Sequence, residues 1–243
     1  MHYAVIAAGE GSRLVEDGIA LPKPLISLSG QPMLGRLLEI FIRNQAECIC
    51  VIINQQMTVV QQYLDEWKEL HPSVDVRVMV KSTPSSMHSL YELCTLLPEG
   101  PFVCTTVDTV FKEKNFADYV AAYAAQSDSF LFGVTPFVED EKPLWVKVDG
   151  DNAITQFCDE GPAPYVSGGI YGMDKAVAKD VLEKCLSSGK SRMRNFQRAL
   201  LESGIKVKAH IFEKVMDIDH RSDLEHAEMW LAQSQEDATR SCL

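Results

Sequence analysis

The run AAGEGSRL at residues 7–14 and the run PKPL at 22–25 hold residue types suited to gripping a chain of phosphates. Gly9 and Gly11 permit a tight turn that brings backbone N–H groups against an anion, and Arg13 and Lys23 add formal positive charge. The loop departs from the dinucleotide fingerprint G-x-G-x-x-G because position 14 is leucine, and from the Walker A loop because no GK[ST] ends it. Carboxylates form a second group, far apart in the chain. Asp108 follows the apolar run FVCTTV, and Asp217 and Asp219 lie in VMDIDHRSDLE. One carboxylate from each place would offer hard oxygen ligands to a divalent cation, although Asp108 taken alone also suits a strand-end cap. Asp217 and Asp219 share a face if the backbone between them is extended, so one can be the ligand while the other orients the loop.

These residues require elements that hold them together. Apolar runs at Tyr3–Ala7, Cys48–Ile53, Val74–Val80, Phe102–Val107 and Phe130–Val134 read as strands. Helical spacing between them appears at 33–42, 59–67, 86–97 and 116–125. Such alternation predicts an α/β fold, a mostly parallel mixed sheet with helices on both faces, in which ligands gather beyond the carboxyl ends of the strands. After Pro136 the pattern changes to short strand candidates at Leu144–Val148, Ala153–Phe157 and Gly169–Met173, with DGDN as a hairpin turn. A small mixed or antiparallel subregion, approximately 136–173, is expected to cover one edge of the first within a single domain spanning 1–243. Helices at 174–186 and 191–203, strands at Val207–Ile211 and Val215–Ile218, and a helix from near Ser222 complete the chain, with a loose polar tail after about 234. Ser222 with Glu225 has the spacing of a capping box.

Composition narrows the function classes. Lys plus Arg number 23 against 34 Asp plus Glu, a formal net charge of -11, which disfavours a nucleic-acid or anionic-membrane partner but leaves room for a local anion site. The seven cysteines lack paired metal-ligand spacing and are expected to be structural; Cys48 and Cys50 are expected on opposite sides of a strand. MHYAVIAAGEG does not read as a signal peptide and no membrane span is evident, so a reducing cytoplasm is the expected compartment.

The ordered set AAGEGSRL, PKPL, TTVDTVF, SGGIYGM and DIDHRSDLEHAE, spread over nearly the whole chain, resembles the nucleotidyltransferase superfamily that makes sugar nucleotides, the NDP-sugar pyrophosphorylases. The resemblance implies a Rossmann-like, glycosyltransferase-A-like domain. It implies an enzyme transferring a nucleotidyl group from an NTP to a small phosphorylated acceptor, a sugar 1-phosphate first, with release of pyrophosphate and with Mg2+ as cofactor. Ala8, Gly9, Gly11, Ser12 and Arg13 would wrap the triphosphate, Lys23 would meet phosphate at the reacting end, and Asp108 with Asp219 or Asp217 would hold the metal, the weight leaning to Asp219. Ser85 and Ser86 would contact base or sugar, though a helix start is the simpler reading of both. Glu160, Gly168 and Gly169 would face the acceptor, while the two glycines also suit a tight entry into a strand.

Two departures bear on the acceptor. Related sequences often carry a Glu-Lys pair where this chain has CDEG at 158–161, and a glycine where Val107 precedes Asp108. Arg192 and Arg194 would supply positive charge if their helix faces the pocket; a solvated basic face is the simpler reading. Phosphocholine or another small-alcohol phosphate therefore stays open as acceptor. So do a metal-dependent glycosyltransferase and a non-catalytic nucleotide-binding regulatory protein. Arg13 and Lys23 suit a departing pyrophosphate better than a finished sugar diphosphate. The sequence leaves the base and the oligomeric state open.

Overall fold

The computed structural model describes residues 1–126, 129–139 and 141–240, with side chains described through 233. The main elements, in chain order, begin with β1 (His2–Ala7), α1 (Met33–Arg43), β2 (Cys48–Ile53), α2 (Thr58–Leu70), β3 (Asp75–Val80) and α3 (Ser86–Leu96). β4 (Pro101–Thr106), α4 (Glu113–Ala124) and β5 (Phe130–Thr135) follow, then β6 (Trp145–Val148), β7 (Ile154–Cys158) and β8 (Tyr165–Asp174). The chain finishes with α5 (Lys175–Ser187), α6 (Met193–Glu202), β9 (Val207–Ile211) and α7 (Arg221–Arg240).

Among the described residues these strands form one nine-stranded mixed sheet along the path β7-β6-β8-β4-β1-β2-β3, with β5 beside β8 and β9 beside β5. β4, β1, β2 and β3 are parallel; the three inner strands β4, β1 and β2 are mostly buried and apolar, as strands covered on both faces are, while the edge strand β3 is only half-buried and carries Asp75 and Arg77. β8 pairs antiparallel with β4, β5 and β6. The subregion after Pro136 therefore continues the sheet rather than covering its edge. Its DGDN turn joins β6 and β7 as an antiparallel hairpin, as the sequence predicts.

Alternation along β1 divides the core. Ala4 and Ile6 face a layer closed by α3, α5 and α6, whereas Tyr3, Val5 and Ala7 face one closed by α1, α2 and α4. In the second layer Tyr3 stacks on Phe41 with centroids 4.4 Å apart, and the Tyr3 hydroxyl donates to the Asn44 carbonyl at 2.9 Å. Each fully buried Leu or Phe of α1 contributes about 1.5–3 kcal/mol of transfer free energy, which fixes β1 and hence the start of the glycine loop.

Four local expectations are corrected. Cys48 and Cys50 point to the same side, because residues two apart in a strand share a face; their Sγ atoms lie 3.7 Å apart in the first core layer. Six cysteines are free and Cys242 lies outside the described residues. The Ser222–Glu225 box does not form. α7 begins at Arg221, and it is the Asp223 carboxylate that accepts from the backbone N–H groups of Asp219 at 3.0 Å and His220 at 2.7 Å. The backbone stays helical to Arg240 where a loose tail was expected after 234. The strand expected over Val215–Ile218 shortens to Met216–Asp217, which pairs with Thr109–Val110.

Candidate active site

Three loops meet at the carboxyl ends of β1 and β4. The first leaves β1 at Ala8 and turns at Gly11, whose φ of 64° is left-handed. A side chain at Gly11 would also come within 3.2 Å of the Lys23 Cβ, so this glycine is needed twice, for its backbone and for the lysine stem beneath it. At Gly9 a Cβ would meet nothing within 4 Å, because this residue borders open cavity. Asn54, buried just beyond β2, steadies the loop by donating to the Ala8 carbonyl at 3.2 Å while accepting from the Gln56 N–H at 2.9 Å. The second loop presents Lys23 from a single helical turn, Lys23–Leu25, bracketed by Pro22 and Pro24.

The third loop carries Asp108. Val107 donates its N–H to the Ile6 carbonyl at 3.0 Å and buries its side chain in the core, so a branched residue is accommodated before the aspartate. The two-residue ladder Thr109↔Asp217 and Val110↔Met216 then brings the distant segment alongside, and the Ile218 N–H donates to the Asp108 carbonyl at 3.1 Å. That ladder is the reason Asp108 and Asp219 meet.

At the centre the Lys23 ammonium donates to Asp108 Oδ2 at 2.5 Å and to Asp219 Oδ1 at 2.8 Å. Arg13 donates to Asp219 Oδ2 at 2.9 Å across a more open gap. Burial of Lys23, 7% exposed, favours its neutral form, but Asp108 and Asp219 outweigh this and hold its pKa above the ordinary lysine value. Partial burial would raise Asp219; Lys23 and Arg13 overcome it and hold this carboxyl below the usual range. Asp217 is turned away, accepting from the Thr109 hydroxyl at 3.2 Å. Enclosure and then repulsion from Asp108 push its carboxyl up, with Lys23 opposing. Asp217 nevertheless keeps an exposed side to water, so the first of these causes is weaker than full burial would make it.

These residues line a cavity of about 820 Å³. Ala8, Gly9, Gly11, Ser12 and Arg13 form one wall, Lys23, Asp108 and Asp219 the base, and Ser85 and Ser86 the far wall. The Ser85 hydroxyl lies 2.9 Å from His88 Nδ1, which gives that histidine a partner the sequence did not suggest. A second cavity of about 90 Å³ shares Arg13 and Asp219 with the first and includes Asp217, Gly168 and His220.

The segment predicted to enter a strand at Gly169 is instead a bulge inside β8, where the register to β5 shifts between Ser167 and Ile170. Gly169 has φ 70°, and a Cβ there would meet the Thr109 hydroxyl at 2.7 Å. The bulge thus abuts the strand that follows Asp108. Glu160 is exposed and lines neither cavity, so the structure does not bring it to this site. Arg194 is engaged by Asp159 at 2.6 Å, and neither Arg192 nor Arg194 lines the cavities.

Sequence reasoning missed two supports. Gln197 of α6, buried, accepts from the Ser167 hydroxyl at 3.2 Å and lies 3.4 Å from the Tyr171 hydroxyl, holding both ends of the bulge. Asp17 accepts from the Arg221 N–H at 3.0 Å, lies 3.1 Å from His220 Nδ1, and gives its carbonyl to the Arg221 guanidinium, tying the glycine loop to α7. A polar residue within the apolar pattern FQRAL was the one signal for Gln197; the Asp17 contact had none.

Whether the base fits a hard divalent cation can be judged from its donors. Among the described residues no group of three or more His, Cys, Asp and Glu side chains is arranged as a metal site. Oxygens of Asp108 and Asp219 do converge on a single cation, the Lys23 ammonium, and carboxylate oxygens are what a Mg2+ ion bound beside substrate phosphates uses. The pair fits such an ion, with Asp219 better directed than Asp217.

A glycine loop, two cations and paired carboxylates at the end of a parallel sheet are residue types suited to a chain of phosphates. The chain belongs to the nucleotidyl transferase family, whose model matches residues 3–234. Its fold is similar to that of an inositol-1-phosphate CTP transferase from T. maritima, with a TM-score of 0.75 at 17% identity over 93% of both chains. It is also similar to a Bacillus anthracis chain assigned as a glucose-1-phosphate thymidylyltransferase, with a TM-score of 0.82 at 18% identity over 95% of both chains. Among curated proteins, a mannose-1-phosphate guanyltransferase of Hypocrea jecorina is 23% identical over 74% of this chain and 51% of its own length. The chain spans about half the length of the curated relatives it matches. Among the described residues no helix is long and apolar enough to cross a membrane.

Proposed function

We propose that this protein transfers a nucleotidyl group from an NTP to a small phosphorylated acceptor, a sugar 1-phosphate first, and releases pyrophosphate. The observation that carries this reading is the meeting of Lys23, Asp108, Asp219 and Arg13 at the base of a cavity walled by the glycine loop. The loop amides, Arg13 and Lys23 would bind the triphosphate and neutralise charge as it shifts toward the leaving pyrophosphate. Ser85 and Ser86 would face the nucleoside end, and the bulge at Gly168–Gly169 would present backbone amides to the acceptor. An acceptor phosphate oxygen forms a bond to the α-phosphorus while the bond to the β-phosphate oxygen breaks. That oxygen is already anionic near neutral pH, so no side chain is needed as a general base. Asp108 and Asp219 would hold a Mg2+ ion, which would supply charge stabilisation to the phosphate oxygens when bound.

The reading is tested by a matrix of ATP, CTP, GTP and UTP against sugar 1-phosphates, inositol 1-phosphate and phosphocholine, with Mg2+ present and pyrophosphate as readout. Turnover with one base and a narrow acceptor set is expected. Turnover with phosphocholine alone would move the acceptor to the small-alcohol class, and absence of turnover in every pair would favour a binding protein.

A further inference from the structure

The Lys23 ammonium occupies the point on which Asp108 and Asp219 converge. Its ammonium meets one oxygen of each carboxylate, at 2.5 and 2.8 Å, and Arg13 takes the second oxygen of Asp219 at 2.9 Å. We propose that Lys23 is the resident counter-ion of the Asp108–Asp219 pair and competes directly with a divalent cation for those oxygens.

Three observations carry this. The ammonium is buried and its two hydrogen-bond partners are the carboxylates themselves, so a cation that takes them leaves a buried charge without compensation. The Lys23 stem runs beneath Gly11, which fixes the side chain in the same cavity as the loop that would hold phosphates. Arg13 adds a second positive charge at Asp219, so a cation arriving alone meets two like charges. In the bound enzyme a polyphosphate would receive both side chains as the cation receives the carboxylates, which makes the exchange one of partners rather than a simple addition. The identity of that anion rests on the proposed function; the competition rests on the carboxylates and Lys23 alone.

The test is Mn2+ binding to nucleotide-free protein, followed by electron paramagnetic resonance, for wild type, Lys23→Met and Lys23→Gln, each shown by thermal melting to be folded. Removing the ammonium should tighten Mn2+ binding at least about tenfold. Adding Asp108→Asn to Lys23→Met should abolish that gain. Unchanged or weaker Mn2+ binding in both folded lysine variants would overturn the proposal, as would a gain that survives loss of Asp108. Because the titration needs no turnover, a wild-type protein that releases no pyrophosphate still returns a result here, and an active enzyme can still fail it.

Discussion

The two halves of the sheet make different kinds of surface. Where β4, β1, β2 and β3 run parallel, all four carboxyl ends reach one rim, and short loops deliver the glycine turn, Asn54 and Asp108 to a wide cavity. Lys23 joins them from its single turn, and the charges there are paired almost one to one. Where β8, β6 and β7 run antiparallel, the features near the site are a bulge at Gly168–Gly169, whose Gly169 packs against Thr109, and a small second cavity lined by Gly168 and bordered by Glu139, Glu141 and Asp217. The parallel half builds its site from strand ends, the antiparallel half from an interruption within one strand. If the proposed function holds, chemistry common to any triphosphate belongs to the first, and selection among acceptors to the second.

Substitutions on the two sides should therefore differ in kind. The largest effect is expected for Asp108→Asn, a fall in kcat of about 10³-fold with the fold retained, measured by pyrophosphate release beside thermal melting. If metal holding falls to Asp219, Asp219→Asn should approach that loss while Asp217→Asn stays at least about tenfold milder; equal losses would erase the distinction between them. On the acceptor side, Gly169→Ala must adopt a left-handed backbone and displace the Thr109 hydroxyl. A loss of about 10–100-fold is expected, larger in kcat/KM for acceptor than for NTP. Gln197→Leu should raise the acceptor KM several-fold with little change in the NTP KM, since it frees the bulge without touching the glycine loop. Glu160→Ala, exposed and outside both cavities, should leave both constants within about twofold.

How far the sequence revealed these halves follows from how each is encoded. β1, β2 and β4 are buried on both faces, so their apolar runs stand out and the elements after them fall at the expected places. The loop residues Gly9 to Arg13 are contiguous, and local spacing was enough to find them. The approach of Asp219 to Asp108 depends on the two-residue Thr109–Asp217 ladder, which leaves no periodic trace, and family likeness rather than spacing linked the two. The bulge at Gly168–Gly169 looked like a strand entry because two glycines interrupt alternation whether they precede a strand or sit within one. Glu160 was matched by its position before SGGIYGM, yet the loop containing it ends away from both cavities. Cys48 and Cys50 lie on one face, not two, since the two-residue period of a strand puts residues two apart on the same side.

Attack of an acceptor phosphate on the α-phosphorus of an NTP is observed directly by phosphorus-31 NMR of a reaction with the active substrate pair. One pyrophosphate should appear for each new diphosphate diester, both forming about 10³-fold more slowly with Asp108→Asn. Nucleoside diphosphate with orthophosphate in their place, or undiminished product from the Asp108 variant, would contradict the account.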